Sequence, residues 1–527
     1  MRTAERKADS GPLARTLPCK RAFVLFIPLT LAAVLGLGGC GGGTTAPPPP
    51  PAISVSVSPG AANVPSGAAL QFTATVRNST NQTVEWSVSG VIGGNASVGT
   101  IAPSGLYTGP ALLFDPASVT VEAVAQADPT KSAVATVAIL AAHPIGVRQV
   151  AGVGEFFDRR SGNAFTPRGN NYIRLATQVG FSGGSTFYHS NFNVGLYDAP
   201  RSESALQVME SDGYNVIRVF LNGCCTGSIG DSAGGLSAGY LANLTDFLER
   251  ASTHHVFAIL TTDWPPDVAP YRDLVGQQCC TLFNDINLQF LTEGGGEGNS
   301  LFFHDLVQGL TALGARLDAI LAYELRNELF FNSDQPPLSL TSGTVTTANG
   351  KTYDMADPAP KQLMMDENLT WWTDRMRETI LGRDPSALVT VGFFWPQQPN
   401  PTRIGDPRVI QPYPAIANST ADFVDLHAYP GLELTMSQYV ENFAMGGHLE
   451  KPVMMGEFGA FRSVYPDEDT SAQALKSWQV ESCSYGFKGW LLWTWDSDEQ
   501  PELWNGLSDT GAINTSLAPV SRPNPCQ

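Results

Sequence analysis

The sequence is poor in charge, and positive charge is the scarcer sign. Charged residues make up 15% of the 527 positions, against about 25% in typical globular proteins. Lysine and arginine number 31 and aspartate and glutamate number 49, which gives a formal net charge of −18. Such a chain repels polyanions, so we expect no nucleic-acid partner.

Cysteine is also scarce, with eight in the chain. The spacings do not match the CxxC patterns of zinc sites, so we predict no metal centre. Six cysteines lie beyond position 40, and an even number favours disulfides in an oxidising compartment. We expect Cys483 to pair with Cys526. The adjacent pairs Cys224–Cys225 and Cys279–Cys280 are expected to be cross-linked to each other.

Long apolar runs are missing except near the amino terminus, where residues 22–37 carry no charge and follow six cations. This run is shorter than the ~20 residues that cross a bilayer and ends in small residues, which indicates a signal peptide over 1–39. The string 37–40 (LGGC) resembles a bacterial lipobox. The resemblance implies lipid attachment at Cys40, and an ordinary cleaved signal is the alternative. We therefore predict an exported protein of the bacterial envelope, on the outer membrane or cell surface, that contacts the membrane only through this lipid.

A tether and a small β-rich domain are predicted next. Residues 40–51 are rich in glycine and proline, which is typical of an extended spacer. Short alternating segments between turn residues favour a β-sandwich over 52–141. The string GTIAPSGLYTGP at 99–110 resembles bacterial Ig-like repeats. A spacer role and a carbohydrate- or partner-binding role both remain open for this domain.

Residues 143–527 alternate between short apolar runs and stretches of helical length, which favours a parallel sheet with helical crossovers. Helices are predicted over Ala238–His254 and Ser300–Asp318. Eight βα units predict an α/β fold, a closed (β/α)8 barrel with long loops after strands one, three and four. The strand candidates are 166–175, 215–221, 256–264, 320–329, 388–395, 423–430, 452–461 and 489–497.

Two acidic residues lie at predicted strand ends, where such barrels carry their reactive groups. Glu328 ends the fourth strand and Glu457 lies in the seventh. Because these strands are nearly opposite in a barrel, the two carboxylates would face each other over a central cleft. A pair about 5 Å apart is what retaining glycoside hydrolysis requires.

The string YELRNE at Tyr323–Glu328 resembles the fourth-strand motif of clan A glycoside hydrolases, and it is most similar to family 5, the cellulase and mannanase group. The resemblance covers roughly residues 150–500. It implies that Glu328 is the acid/base, that Asn327 binds the sugar hydroxyl beside the reacting carbon, and that Glu457 is the nucleophile. A second carboxylate nearby would raise the pKa of Glu328, which must hold a proton near neutral pH.

The resemblance also assigns neighbours to the two glutamates. Arg218 on the second strand corresponds to an arginine that orients the nucleophile, and its guanidinium would favour the charged form of Glu457. His427 and Tyr429 correspond to a sixth-strand pair near that carboxylate. Trp493 corresponds to the eighth-strand aromatic under the reacting sugar.

Other side chains are assigned from their places in the predicted barrel. Asp263 at the third strand end either contacts substrate or satisfies loop amides, and both readings remain open. Glu324 lies deeper in the fourth strand, where an unpaired charge is costly, so we expect it to pair with a barrel cation. Aromatic rings at the mouth would offer flat apolar faces to sugar C–H groups. The tryptophans expected there are Trp264, Trp395, Trp493, Trp495 and Trp504.

The sequence departs from the family pattern in three places. Leu329 follows the predicted acid where the family usually has proline, and Arg326 holds a position that is more often small. The segment FAILTTDW has no counterpart of the family's third-strand histidine. These differences leave the subfamily and the substrate open.

Together these observations predict a lipid-anchored, monomeric enzyme that hydrolyses a β-linked polysaccharide or oligosaccharide with retention and without a cofactor. β-Glucan and β-mannan are the expected substrate classes. Two alternatives remain open. One is a transglycosylase on the same barrel, and the other is a non-catalytic carbohydrate-binding surface lipoprotein.

Overall fold

The computed structural model describes most of the chain beyond the predicted tether, and Ala52–Gln527 forms one compact unit. The predicted signal peptide, Cys40 and most of the tether lie outside the described residues. Within the described part, no helix combines the length and apolarity needed to cross a bilayer. The described ranges are 50–179, 184–394, 412–432, 434–447, 449–496, 500–508 and 510–527.

The first part of this unit is built only from strands, which form two larger sheets and one strand pair. The alternation of small apolar and polar residues places Val121 and Val137 on the inner faces of long neighbouring strands. They pack with Phe72 and Trp86 in a core of their own. A likeness to Ig-like repeats stays a prediction. The strands are β1 (Ser54–Ser58), β2 (Ala61–Pro65), β3 (Ala69–Gln71), β4 (Thr73–Arg77), β5 (Val84–Val88), β6 (Val91–Ile92), β7 (Gly94–Asn95), β8 (Gly99–Ile101), β9 (Leu106–Thr108), β10 (Ala117–Ala125) and β11 (Ser132–Leu140).

The remaining strands form the barrel and the short sheets around it. The described strands are β12 (Ile145–Val150), β13 (Val153–Asp158), β14 (Ala164–Phe165), β15 (Arg168–Asn171), β16 (Leu175–Val179), β17 (Ser185–His189), β18 (Val216–Leu221), β19 (Phe257–Thr262), β20 (Ile320–Glu324), β21 (Thr344–Thr346), β22 (Thr352–Asp354), β23 (Val389–Thr390), β24 (Gly392–Phe394), β25 (Val424–His427), β26 (Val453–Phe458), β27 (Ala460–Phe461), β28 (Phe487–Leu492) and β29 (Leu503–Trp504).

Nine of these strands form one parallel sheet in the order β23-β20-β19-β18-β15-β28-β26-β25-β24. The strands β23 and β24 are two pieces of one barrel strand, which is interrupted at Val391. The sheet therefore has eight barrel strands and is nearly closed. We number them barrel strands 1 to 8 along the chain: β15, β18, β19, β20, β23 with β24, β25, β26 and β28. The predicted eight-stranded barrel is confirmed.

Helices pack around the barrel, and most of the longer ones begin at a side-chain cap that the sequence supplies. Ser237 accepts a hydrogen bond from Tyr240 N, and Asp467 accepts one from Thr470 N. The helices in the described residues are α1 (Ala199–Ser211), α2 (Ala238–Thr253), α3 (Tyr271–Val275), α4 (Asn287–Leu291), α5 (Glu293–Ala312), α6 (Pro358–Leu381), α7 (Pro412–Ala417), α8 (Met436–Asn442), α9 (Glu468–Cys483) and α10 (Ala512–Leu517).

The prediction of a helix over Ser300–Asp318 is wrong at both ends, because α5 covers 293–312. Thr292 caps it by accepting a hydrogen bond from Gly295 N. The glycines at its start are required by packing, since a Cβ on Gly295 would collide with the backbone of Leu288 and one on Gly296 with the ring of Trp371. The long loops are where they were predicted. They hold the hairpin β16–β17 after strand 1, α3 and α4 after strand 3, and the hairpin β21–β22 after strand 4.

The disulfides follow the prediction only in part. Cys483 pairs with Cys526, as expected. The predicted cross-link between the two adjacent pairs is wrong, because Cys224 bonds to Cys225 and Cys279 bonds to Cys280. The two pairs lie in different loops, the first after β18 and the second after β19. Each cysteine bonds to its neighbour in the sequence.

The part of the chain that holds β1–β11, called the all-β part below, contacts the amino end of the barrel. Asn63 on β2 donates from Nδ2 to the carbonyl oxygens of Thr311 and Ala312, at 3.0 and 3.2 Å. These carbonyls are at the carboxyl end of α5, and crossover helices run opposite to the strands they connect. The all-β part is therefore docked at the end of the barrel opposite to the carboxyl ends of its strands.

Candidate active site

The two predicted glutamates meet at the carboxyl end of the barrel. Carboxylate oxygens of Glu328 and Glu457 and a ring nitrogen of His427 all lie within 4.8 Å of one another. The Glu328 side chain is 34% exposed and that of Glu457 is 4% exposed. One carboxylate is therefore open to the cleft while the other is enclosed.

Glu328 is held in an unusual backbone conformation. Its φ is 45°, in the left-handed region that residues other than glycine rarely adopt. The peptide groups on both sides are fixed, because Asn327 N donates to Thr262 O at 2.7 Å and Leu329 N donates to Gly392 O at 2.9 Å. These hydrogen bonds to strands 3 and 5 fix the backbone at the end of strand 4. Strain of this kind, which costs about 1–3 kcal/mol, is typical of residues that a site holds in one orientation.

Donors surround the Glu457 carboxylate on both oxygens. Arg218 Nη1 donates to Oε1 at 2.5 Å, and the Tyr429 hydroxyl donates to Oε2 at 2.7 Å. His427 Nδ1 lies 3.5 Å from this Oε1 and forms its hydrogen bond with Glu328 Oε1, at 3.1 Å. These contacts fix the carboxylate in one rotamer and favour its ionised form.

Arg218 connects the acids of strands 4 and 7. Its Nε and Nη2 donate to the two oxygens of Glu324, each at 2.7 Å, as a bidentate pair. Nη2 also donates to Asn327 Oδ1 at 2.8 Å, and Nη1 to Asn171 Oδ1 at 2.9 Å. The Arg218 side chain is 0% exposed. Glu324 is therefore paired with a barrel cation, as predicted, and Arg218 orients the Asn327 amide beside Glu328.

The surroundings shift the acidities of the reactive groups. Burial raises the pKa of Glu328 to about 7, and the carboxylates of Asp263 and Glu324 act in the same direction. Burial also raises the pKa of Glu457 above its usual range, while His427 and Arg218 oppose that rise. Burial lowers the pKa of His427 to about 4, so its ring is neutral near pH 7. Glu328 can therefore hold a proton at neutral pH.

The tryptophans predicted at the mouth of the barrel differ in how far their side chains are exposed. Trp264 is 41% exposed and lies under the Arg326 guanidinium, whose carbon is 4.7 Å from the ring centroid. Trp493 is 8% exposed, contacts the ring of Phe220 edge-on, and donates from Nε1 to Gln500 at 2.6 Å. Trp504 is half-buried. Trp395 lies outside the described residues.

The prediction that Trp495 offers a face to substrate is corrected by the structure. Its ring is 2% exposed and packs edge-on against Tyr214 in the main core. Strand 8 ends at Leu492, so the alternation that would place the residues at 493 and 495 on one face stops before either of them. Trp495 N instead donates to Asn171 O at 3.0 Å, which ties the chain to strand 1.

Asp263 lies at the rim, where its carboxylate is 28% exposed and 3.5 Å from Arg326 Nη1. The Asp263 carboxylate therefore has Arg326 as one partner, and part of the carboxylate remains exposed. Arg326, the residue that departs from the family pattern, thus joins the ends of strands 3 and 4 through one ion pair and one aromatic contact. The pair Asp263 and Trp264 borders a cavity of about 490 Å³ next to the strand 4 loop.

His189 lies in the cleft and was not predicted from the sequence. His189, at the end of the hairpin after strand 1, stacks on Phe220 with the ring centroids 3.9 Å apart and meets the edge of Trp493 at 6.0 Å. Its Nδ1 is buried and has no hydrogen-bond partner among the residues that the structure describes, and burial lowers its pKa to about 4. A neutral imidazole therefore lies beside the predicted sugar platform. The signal in the sequence was a lone histidine in a predicted long loop.

The site also offers donor sets of the kind that bind metals. Glu328, His427 and Glu457 form one group, and Glu324, Asp425 and His427 form a deeper one. In the first group both oxygens of Glu457 already accept hydrogen bonds. In the deeper group both oxygens of Glu324 accept hydrogen bonds from Arg218. One carboxylate in each group is therefore already bound by protein donors.

No protein-family model matches the sequence, and no curated protein matches it. Solved structures that resemble the chain include an exo-β-1,4-mannosidase from an Opitutaceae bacterium, strain TAV5, at 18% identity, with 71% of this chain and 59% of that chain covered and a TM-score of 0.39. A β-mannanase from the blue mussel Mytilus edulis has 15% identity, coverages of 73% and 99%, and a TM-score of 0.42. A hyperthermostable endo-1,4-β-D-mannanase from Thermotoga petrophila has 17% identity, coverages of 68% and 100%, and a TM-score of 0.44. Likeness at this level supports no conclusion about activity, which has to be argued from the site.

Proposed function

We propose that the protein hydrolyses β-glycosidic bonds with retention of anomeric configuration, with Glu457 as nucleophile and Glu328 as acid/base. The observation that carries this proposal is the pair of neighbouring carboxyl groups in different surroundings. Glu457 is enclosed and receives a hydrogen bond on each oxygen. Glu328 is partly exposed, and its pKa is raised to about 7. Two carboxyl groups whose environments differ in this way suit the two roles of a retaining glycosidase.

In the first step a Glu457 oxygen attacks the anomeric carbon while Glu328 gives its proton to the leaving glycosidic oxygen. The C–O bond to the leaving group breaks, and a glycosyl ester of Glu457 forms. The negative charge of Glu457 is lost in this ester, so the pKa of Glu328 falls. Glu328 then accepts a proton from water, the water oxygen attacks the same carbon, and Glu457 leaves as a carboxylate.

The neighbouring side chains support these steps. Arg218 and Tyr429 hold the attacking carboxylate in place, and the amide of Asn327 lies next to Glu328 in a position to contact the sugar hydroxyl beside the reacting carbon. The faces of Trp264 and Trp493 suit the C–H surfaces of a sugar. β-Glucan or β-mannan is the substrate class we propose, with no cofactor in the reaction.

The cellular setting belongs to the same proposal. We propose that lipid attachment at the predicted lipobox, on Cys40, holds the enzyme on the bacterial envelope, with residues 40–51 as an extended spacer. Because the all-β part contacts the amino end of the barrel, the cleft faces away from it. We propose a spacer role for the all-β part and a monomeric enzyme.

The test is a panel of β-glucans, β-mannans and aryl β-glycosides, with the configuration of the first product followed by NMR. The β-anomer is expected first, and Glu457→Gln and Glu328→Gln should each lose at least about 10²-fold in kcat/KM on a substrate with a poor leaving group. Glu468→Gln is the matched control, because Glu468 is also buried but accepts hydrogen bonds from Thr510 N and Ala512 N outside the cleft.

Four outcomes would overturn the proposal. An α-anomer as first product would indicate inversion, and unchanged turnover in both cleft variants would remove the two glutamates from the chemistry. Binding of glycans without turnover on any member of the panel would favour the carbohydrate-binding alternative. Products longer than the substrate at high acceptor concentration would identify a transglycosylase on the same two residues.

A further inference from the structure

Besides Glu324, another buried acid lies beneath the proposed nucleophile. Asp425, on strand 6, points to the same side of its strand as His427, two residues further on. It is 0% exposed, and within the described part of the chain no donor group hydrogen-bonds to either of its carboxyl oxygens. A buried carboxylate without a single donor is rare, because the charge then has neither water nor protein to stabilise it.

The charged and titratable groups around Asp425 come from four barrel strands. Carboxyl oxygens of Asp425 and Glu324 and a ring nitrogen of His427 lie within 4.8 Å of one another. The packing is tight, because a Cβ on Gly456 would collide with the Asp425 oxygens and one on Gly392 with a Glu324 oxygen. The groups that act on Asp425 or adjoin it are Glu324 on strand 4, Arg218 on strand 2, Glu457 on strand 7 and His427 on strand 6.

The guanidinium in this cluster is fully committed elsewhere. Arg218 gives its Nε and Nη2 hydrogen bonds to Glu324 and its Nη1 hydrogen bond to Glu457. Three carboxyl groups thus share the positive charge of one arginine. If all three were ionised, Asp425 would be the one left without compensation, next to a second buried carboxylate.

We infer that Asp425 is a neutral, protonated carboxylic acid while Glu457 is ionised, so that the charge of Arg218 compensates only Glu324 and Glu457. This inference rests on the proposed function, because it takes Glu457 to be the nucleophile. The Asp425 hydroxyl has two acceptors nearby, the Glu324 carboxylate and the ring of His427, whose Nε2 is buried and unpartnered.

The electrostatics agree with this assignment. Burial raises the pKa of Asp425 well above its usual range, and the Glu324 and Glu457 carboxylates raise it further. Burial also acts to raise the pKa of Glu324, but Arg218 outweighs it and holds that pKa below its usual range. The pair therefore carries its proton on Asp425.

The first experiment compares Asp425→Asn with Glu324→Gln in pH profiles of kcat/KM. Asparagine has the shape of a neutral aspartic acid, so D425N should keep kcat/KM within about threefold and leave the acidic limb in place. E324Q removes the negative charge of the Glu324 carboxylate beside Arg218. The acidic limb should then move to lower pH, because the Glu457 pKa falls when a nearby negative charge is lost. If D425N moves the acidic limb as E324Q does, then Asp425 is ionised and the inference is wrong.

The second experiment does not depend on turnover, so it separates this inference from the proposed function. Infrared difference spectra between E328Q and E328Q/D425N at neutral pH should show the carbonyl band of a protonated carboxylic acid, and a lost carboxylate band instead would contradict the inference. If D425N does not fold, NMR of the otherwise unmodified protein with ¹³C-labelled aspartate carboxyls gives the answer. One carboxyl should keep the shift of a protonated acid through neutral pH, and the absence of such a signal would overturn the assignment.

Discussion

Both ends of the barrel contain buried ionic groups, but among the described residues the features of a reactive site lie at the carboxyl end. At the amino end, His143 Nε2 is 2.7 Å from Asp384 Oδ2 and Nδ1 is 2.7 Å from Ile320 O. The two side chains are 1% and 3% exposed, and Tyr323 also donates to Asp384. At the carboxyl end, the Glu328 carboxylate is partly open and its pKa is raised to about 7.

The difference shows what separates a structural ion network from a site. At the amino end each ring nitrogen of His143 has an acceptor, and the group is sealed from solvent. At the carboxyl end one acid is enclosed and a neighbouring one is accessible, with a pKa near neutrality. A buried charge by itself is therefore weak evidence of function, whereas an accessible carboxyl group with a raised pKa beside an enclosed one is the pattern expected of a reactive site.

The largest expected effect is the loss of Arg218. Arg218→Met leaves Glu324 and Glu457 buried without their cation, which should lower the free energy of unfolding by about 3–5 kcal/mol and reduce kcat by at least about 10²-fold. Urea unfolding and steady-state kinetics measure the two effects. Arg375→Met is the matched control, since Arg375 pairs at 2.9 Å with a half-exposed Glu293 and should cost at most about 1 kcal/mol. Equal losses in the two variants would contradict the account.

The next effect concerns the pH dependence of catalysis. Glu328 has to be protonated in the first step, so kcat/KM of the wild-type enzyme should fall as the pH rises through about 7. Glu328→Gln should lose this basic limb on an aryl glycoside whose leaving group needs no protonation. A basic limb that persists in the variant would assign the titration to another group.

A smaller effect is expected at the amino end, on stability alone. Burial acts against the charged form of His143, but Asp384 and the Ile320 carbonyl outweigh it and raise the pKa above its usual value. A group with a raised pKa contributes its full stabilisation below its unfolded pKa of about 6.5, and this contribution is lost as the pH rises through the folded pKa. His143→Gln should therefore lower the free energy of unfolding by about 2 kcal/mol at pH 5, and by less at high pH.

Urea titrations at several pH values, with kcat/KM measured in parallel, check this prediction. The catalytic parameters of His143→Gln should remain at the wild-type values, because the residue lies at the far end of the barrel. A loss of stability that grows with rising pH would have the wrong sign and would contradict the charged state assigned to His143.

The smallest effect is expected where the all-β part contacts the barrel. Asn63→Ala removes two hydrogen bonds to the end of α5 and should cost about 1 kcal/mol of unfolding free energy. Since this contact is at the amino end, kcat/KM should not change. A change in KM on a polysaccharide would instead indicate that the all-β part takes part in substrate binding.

Much of the barrel and its glutamate pair could be predicted from the sequence. The strands are short runs of β-branched and aliphatic residues bounded by turns, and the YELRNE string marks the end of the fourth one. The acids at 328 and 457 follow from these strand positions, because parallel strands place their carboxyl ends on one face.

Other features depend on packing that a linear pattern does not contain. The start of α5 at Glu293 was missed, because glycine disfavours helices and only the close approach of Leu288 and Trp371 explains the glycines there. Trp495 was misplaced because strand 8 ends three residues before it. His189 reaches the cleft from a hairpin inserted after strand 1, and the contacts of an insertion are set by tertiary structure.

The most direct test of the central claim is to trap the glycosyl-enzyme. The protein is incubated with an activated 2-deoxy-2-fluoro β-glycoside of the sugar it hydrolyses, digested, and mapped by mass spectrometry. The expected result is one sugar attached to the peptide that contains Glu457, with no label in Glu457→Gln. A label on another residue, or turnover with no trapped intermediate and an inverted product, would contradict the pairing of Glu457 and Glu328 as nucleophile and acid/base.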